Sequence, residues 1–252
     1  MVFLLAAPRP ALCALVLSMI HCEWADRGLD RAGRATAIVV VDVFSFGTAV
    51  TLAVERGAAV FPWDGVSATP ENAILCTGRS RTAFSLSPES LLGVERGTRL
   101  ALPSQNGARL TAAAARVAGA VVVASLRNAS AVARWLSQWE GDVAIIPAGE
   151  RWPDGTLRFA IEDWLGAGAV IAALGGEQTS EAQLGAMAFA AARERLTEIL
   201  AGSTSGRELI ARGFANDVTL AAEFDCSAAV PVVDENGWLA RIAKSSDDGR
   251  AG

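Results

Sequence analysis

Histidine is nearly missing from this chain: His21 is the single one among 252 residues. The four cysteines, Cys13, Cys22, Cys76 and Cys226, form no CxxC pair and supply no spacing with His21 that a zinc centre or a Cys/His nucleophile uses. Both chemistries are set aside, and each cysteine reads as a buried or half-buried thiol in a reducing compartment, hence a cytoplasmic location. Lysine occurs only at Lys244, the remaining basic residues are scattered arginines, and the net charge is −5. No basic footprint for nucleic acid or an acidic membrane surface follows from that balance. No GxxxxGK[ST] or GxGxxG motif occurs, so nucleotide binding has little support. A membrane span is missing too. The apolar stretch over 1–20 is broken by Pro8-Arg9-Pro10, lacks a positive start and is followed by no A-x-A-like site, which argues against both a signal peptide and an anchor.

What is there is a large apolar reserve, 52% of the residues, arranged in short runs. Four of these runs end in small polar loops that open directly into helical patterns. They are residues 37–43 before Phe44-Ser45-Phe46-Gly47-Thr48, 99–103 before Ser104-Gln105-Asn106-Gly107, 120–125 before Leu126-Arg127-Asn128, and 142–147 before Ala148-Gly149-Glu150. Strand-to-helix alternation of this kind predicts an α/β fold: a mostly parallel or mixed sheet flanked by helices, as one compact domain or two merged lobes. Parallel strands would bring all four loops to one edge, where helix N-termini attract anions. Helices are expected over 24–32, 48–56, 108–117, 129–138, 160–166, 180–200 and 205–212, with a further strand at 169–174. Residues 1–18 are expected to be a poorly ordered extension and 244–252 a solvated tail.

The chemistry-bearing residues fall in those loops. Asp42 ends a Val/Ile run, and Ser45 and Thr48 follow it with hydroxyls suited to a phosphate, although either would also serve as a helix cap. Asn106-Gly107 and Asn128 read equally as turn or cap and as ligands. Between Gly149 and Asp163 charge is dense, with Glu150, Arg158, Glu162 and Asp163; Arg158 and Glu162 are four apart, so a plain surface bridge competes with an anion or metal role. Asp217 and Asp225 are eight apart, on one face if a helix joins them. Carboxylates without histidine suit Mg²⁺ rather than zinc.

These segments, in this order, resemble the 2-phosphosulfolactate phosphatase family. The telling pieces are VVVDVFSFGTAV (39–50), PSQNGARL (103–110), SLRNASAVA (125–133), AGERWPDGTLRFAIEDWLGAGAV (148–170) and the stretch 206–233, so the likeness runs from Ile20 to Val233. It departs from the family pattern at Ser45, where the family carries arginine, at Thr77-Gly78-Arg79 and Leu86-Ser87-Pro88, and around Trp152-Pro153-Asp154. The resemblance implies a phosphatase-like α/β domain over 19–243 and Mg²⁺-dependent hydrolysis of a small anionic phosphomonoester, in coenzyme M biosynthesis. No nucleic-acid or membrane partner is implied, and self-association is left open.

On that basis Asp42, Glu162, Asp163 and Arg158 are the expected catalytic set. Ser45, Thr48, Asn106, Gly107, Arg127, Asn128 and Glu150 are expected to bind substrate, and Asp42, Asp217 and Asp225 to hold the metal. A non-catalytic binder of a small anionic metabolite on the same scaffold is the competing expectation.

Overall fold

In the computed structural model, the described residues are 17–32, 35–81 and 83–241. The extension over 1–16, Cys13 within it, and the tail over 244–252 lie outside them. The first strand begins at Leu17, two residues inside the segment expected to be extension.

Nine strands form one mixed sheet in the order β1-β7-β2-β6-β10-β11-β3-β5-β4. Its left half is parallel: β1 (Leu17–Cys22), β7 (Gly141–Pro147), β2 (Ala37–Val41) and β6 (Ala120–Ala124). Its right half, β3 (Ala59–Trp63), β5 (Arg99–Pro103) and β4 (Ile74–Leu75), is also parallel within itself. Between them lies a C-terminal hairpin, β10 (Pro231–Val233) and β11 (Leu239–Arg241), pairing antiparallel with β6 on one side and β3 on the other. Neither hairpin strand is visible in the sequence pattern, because each is only three residues long. Three successive antiparallel steps reverse the sense of the right half. Consequently β2, β6 and β7 point one way in the ladder and β5 the other, and the expectation of four co-directed strands holds for three.

The central strands are apolar throughout because both faces are covered. Along β2, Val39 and Val41 face one layer, where α4 (Ala129–Leu136), α5 (Ile161–Leu174) and α6 (Ser180–Ala192) pack. Ile38 and Val40 face the opposite layer, against Leu29 of α1 (Ala25–Arg31) and Leu110 and Ala114 of α3 (Gly107–Ala114). A third cluster joins α2 (Phe46–Glu55) to β3, β5 and Leu239.

One expectation fails outright. Residues 169–174 are not a strand but the second half of α5, which runs unbroken from Ile161 to Leu174. The run is apolar at every position, with Ala169, Val170 and Ile171 buried but Ala172 and Ala173 exposed, so no polar residue marks its outer face and its periodicity is silent. Gly166 is needed for the packing of α5 on β2: a Cβ there would come within 2.5 Å of Val43 Cγ2 and 2.9 Å of Val41 Cγ1. The long helix expected over 180–200 is divided at Arg193–Arg195 into α6 and α7 (Leu196–Gly202); α8 (Thr204–Ala211) and α9 (Ala215–Ala222) follow and are the last α-helices among the described residues. Among the described residues no helix is long and apolar enough to cross a membrane.

Candidate active site

The site is built outward from Asp42, the residue that leaves β2. Its chain turns at once into α2, so the carboxylate lies beneath the helix start: Oδ1 accepts the amides of Ser45 at 3.2 Å and Phe46 at 3.1 Å. Oδ2 accepts the Gly107 amide at 3.1 Å, which brings the first turn of α3 across to β2. Glycine is required at that crossing, since a Cβ on residue 107 would stand 2.5 Å from Asp42 Oδ2 and 2.7 Å from Phe46 Cβ. Two helix N-termini therefore converge on a side chain of the protein itself. The Ser45, Phe46 and Gly107 amides at these two helix starts are engaged by the Asp42 carboxylate.

Three more carboxylates stand close by. Asp163, in the first turn of α5, accepts the Val43 amide at 2.7 Å and the Gly149 amide at 2.9 Å, stitching the loop after β2 to the loop after β7. Glu162 beside it is buried and hydrogen-bonded to the hydroxyl of Ser205 on α8. Glu150 opens β8 (Glu150–Arg151) and accepts Asn106 Nδ2 at 3.0 Å. The carbonyl Oδ1 of the same Asn106 is buried without a partner.

Burial and mutual repulsion set the protonation of this group. Desolvation, then the charge of Glu150, lifts Asp42 to about 6 against the amide bonds from Phe46 and Gly107 and the Arg79 charge. Glu162 is lifted to about 7, chiefly by burial, with Glu150 and Asp42 adding to it. Asp163 is raised well above its ordinary value by burial and by Asp42 and Glu162. Glu150 is raised by burial too, partly offset by Arg158 and Asn106.

The model of the family described as 2-phosphosulpholactate phosphatase matches residues 27–236. The chain belongs to that family. A relative from Carboxydothermus hydrogenoformans named "Probable 2-phosphosulfolactate phosphatase" is 31% identical over 212 residues, covering 77% of this chain and 85% of its own. One from Methanothermobacter thermautotrophicus named "2-phosphosulfolactate phosphatase" is 29% identical over 201 residues, with the same two coverages of 77% and 85%. A third, from Symbiobacterium thermophilum and named "Probable 2-phosphosulfolactate phosphatase", is 30% identical, covering 82% of this chain and 94% of its own.

In this member of the 2-phosphosulfolactate phosphatase family, several residues singled out in the sequence sit elsewhere. Asp217 and Asp225 share no helix face, because α9 ends at Ala222 and Asp225 follows in a left-handed turn with φ 50°. Asp225 accepts the Ser130 amide at 2.8 Å and the Ser130 hydroxyl, capping α4. Both oxygens of Asp217 are taken by Ser87, Glu89 and Arg79. The three-aspartate metal set of Asp42, Asp217 and Asp225 is therefore not assembled.

Arg127 is drawn away to Glu223 and to the Leu220 carbonyl at 3.0 Å. Asn128 is fully buried, accepting the Ser125 amide at 2.9 Å and donating to the Ala229 carbonyl at 3.0 Å. Thr48 donates to the Val43 carbonyl at 2.6 Å. All three hold loops in place, and for Asn128, which forms a capping box with Ser125, the cap reading describes it. Arg158 lies on β9 (Leu157–Arg158), before the helix, and its guanidinium forks onto Glu208 at 2.8 and 3.0 Å instead of bridging to Glu162.

Ser45 stays at the site, its hydroxyl accepting from Arg79 at 2.8 Å. Arg79, Ser205 and Glu208 are the participants that sequence reading passed over. Arg79 sits in the irregular segment over 64–98, where no periodicity marks a lone arginine, and the other two lie on a helix that reads as amphipathic surface. Of the free thiols, Cys22 and Cys76 are buried, each pushed up to about 12 by desolvation, whereas Cys226 is exposed.

Proposed function

We propose that this protein hydrolyses a small phosphomonoester, 2-phosphosulfolactate or a closely related anionic compound, with Mg²⁺ as cofactor. One observation carries the reading: four desolvated carboxylates, Asp42, Glu150, Glu162 and Asp163, lie near enough to the ends of β2 and β7 for their charges to act on one another, and Asn106, which donates to Glu150, leaves its Oδ1 buried without a partner. An anionic phosphoryl group entering this neighbourhood by itself would be repelled, and a divalent cation would relieve that repulsion.

The donor set suits such an ion, since every candidate is a hard oxygen. Among the described residues no three His, Cys, Asp or Glu side chains form a metal cage. Magnesium does not need one, being commonly held by one or two carboxylates, water and substrate phosphate. Asp42, Glu150 and Asn106 Oδ1 would hold it. Bound there, it would withdraw charge from the phosphoryl oxygens.

The remaining work falls to side chains. Glu162, raised to about 7, is poised to take a proton from the attacking water near neutral pH. Asp163, with both oxygens on backbone amides, keeps the two loops at a fixed separation. The names of the relatives support the substrate, and a cytoplasmic place in coenzyme M biosynthesis is part of the same proposal.

The test is phosphate release from phosphosulfolactate and a panel of small phosphoesters, with and without Mg²⁺. Metal-dependent release is expected, and Asp42→Asn should abolish it while circular dichroism stays unchanged. No metal-dependent turnover on any substrate would overturn the reading.

A further inference from the structure

We propose that Arg79 is the cation that grips the phosphoryl group in this site, and that Asp217 on α9 is the positioning residue that aims it. The inference deepens the phosphatase reading and rests on it.

Arg79 arrives from the segment between β4 and β5 and is fixed from several directions. Its Nη2 donates to the Phe44 carbonyl at 3.0 Å and to Ser45 Oγ at 2.8 Å, and its Nη1 to Asp217. Asp217 is wholly buried, and its other oxygen accepts the Ser87 hydroxyl at 2.7 Å and the Glu89 amide at 3.0 Å. The Phe214 ring lies 5.5 Å from the guanidinium carbon. With only 6% of the Arg79 side chain exposed, both charges are desolvated. A buried ion pair of this kind is a poor source of stability, because an apolar pair of the same shape serves as well or better. What it supplies is direction: the guanidinium is pinned against the turn between Asp42 and α2.

That turn needs a cation. The Ser45, Phe46 and Gly107 amides are engaged by Asp42, so they are not available to an incoming anion. Arg158 is forked onto Glu208, and Arg127 is held by Glu223 and Leu220. Arg79 uses three of a guanidinium's five donors on Asp217, Phe44 and Ser45, and the rest remain for a ligand. Ser45, which accepts from Arg79, keeps its own hydroxyl proton to donate alongside. Through Phe44 and Ser45, Arg79 is tied to the loop that follows Asp42.

The experiment combines steady-state kinetics with calorimetric titration of inorganic phosphate. Removing Arg79 alone would strand a buried carboxylate, so the informative variant is the double Arg79→Met/Asp217→Asn, alongside Asp217→Asn and Arg79→Lys. The double variant should fold, with KM and the phosphate Kd raised at least about tenfold. Asp217→Asn should follow in the same direction by less, and Arg79→Lys should recover part of the affinity. A folded double variant with wild-type KM and phosphate Kd would overturn the role of Arg79 and leave the phosphatase reading intact. A wild-type protein that neither binds phosphate nor turns over any phosphoester would end both.

Discussion

Asp42 and Glu162 carry their charges at a cost that pH can reveal. Their ordinary values are 3.8 and 4.5, and in the folded protein they stand at about 6 and about 7. The native state therefore binds protons more tightly than the unfolded chain across that interval. The stabilisation is fully present below the ordinary values and is lost as pH rises through the folded ones. Tm should accordingly fall between about pH 5 and about pH 8, and Glu162→Gln, which keeps the shape and removes one titration, should flatten that slope. A scanning calorimetry series checks it; a Tm that climbs towards pH 8 would contradict the assignment. The same substitution should lower kcat by roughly a hundred- to ten-thousandfold if Glu162 is the base.

Among the elements, α5 shows where a period-based reading stops. Strands β2, β6 and β7 are legible because Val/Ile runs bounded by polar loops leave few alternatives. In α5, residues 167–171 are buried and the exposed positions that follow are the small apolar Ala172 and Ala173, so the apolarity that marks a buried strand is matched by this helix. Gly166 makes the helix fit. Replacing it with alanine would gain about 1 kcal/mol of helix propensity yet force a methyl group onto two stiff valines, at a cost of about 1–3 kcal/mol. The packing penalty should win, leaving a net loss of up to about 2 kcal/mol, read as a lower urea midpoint with an unchanged m-value. A variant as stable as the wild type would mean that the α5 to β2 contact is looser than it appears.

At the scale of the whole molecule, stability and ligand binding should be coupled through the acidic cluster. A Mg²⁺ ion held by Asp42 and Glu150 would favour the folded state, contributing about 2.7 kcal/mol at a hundredfold excess over Kd. Because protons compete for the same carboxylates, the Tm gain with Mg²⁺ should be larger at about pH 8 than at about pH 5. Asp42→Asn should reduce it at both. An equal gain in the variant would place any bound ion elsewhere on the surface.

Chain-local information was enough for the α/β class, for the strand-loop-helix units and for Asp42, Glu150, Glu162 and Asp163 as residues of interest, since burial patterns and loop chemistry act over a few neighbouring residues. It could not say that the right half of the sheet runs in the opposite sense, because that depends on a short C-terminal hairpin wedged between β6 and β3. Nor could it separate a carboxylate that faces the site from one that serves the scaffold. Asp217 is 138 residues from Arg79 and Asp163 is 120 from Val43, and partnerships over such distances are made by packing alone.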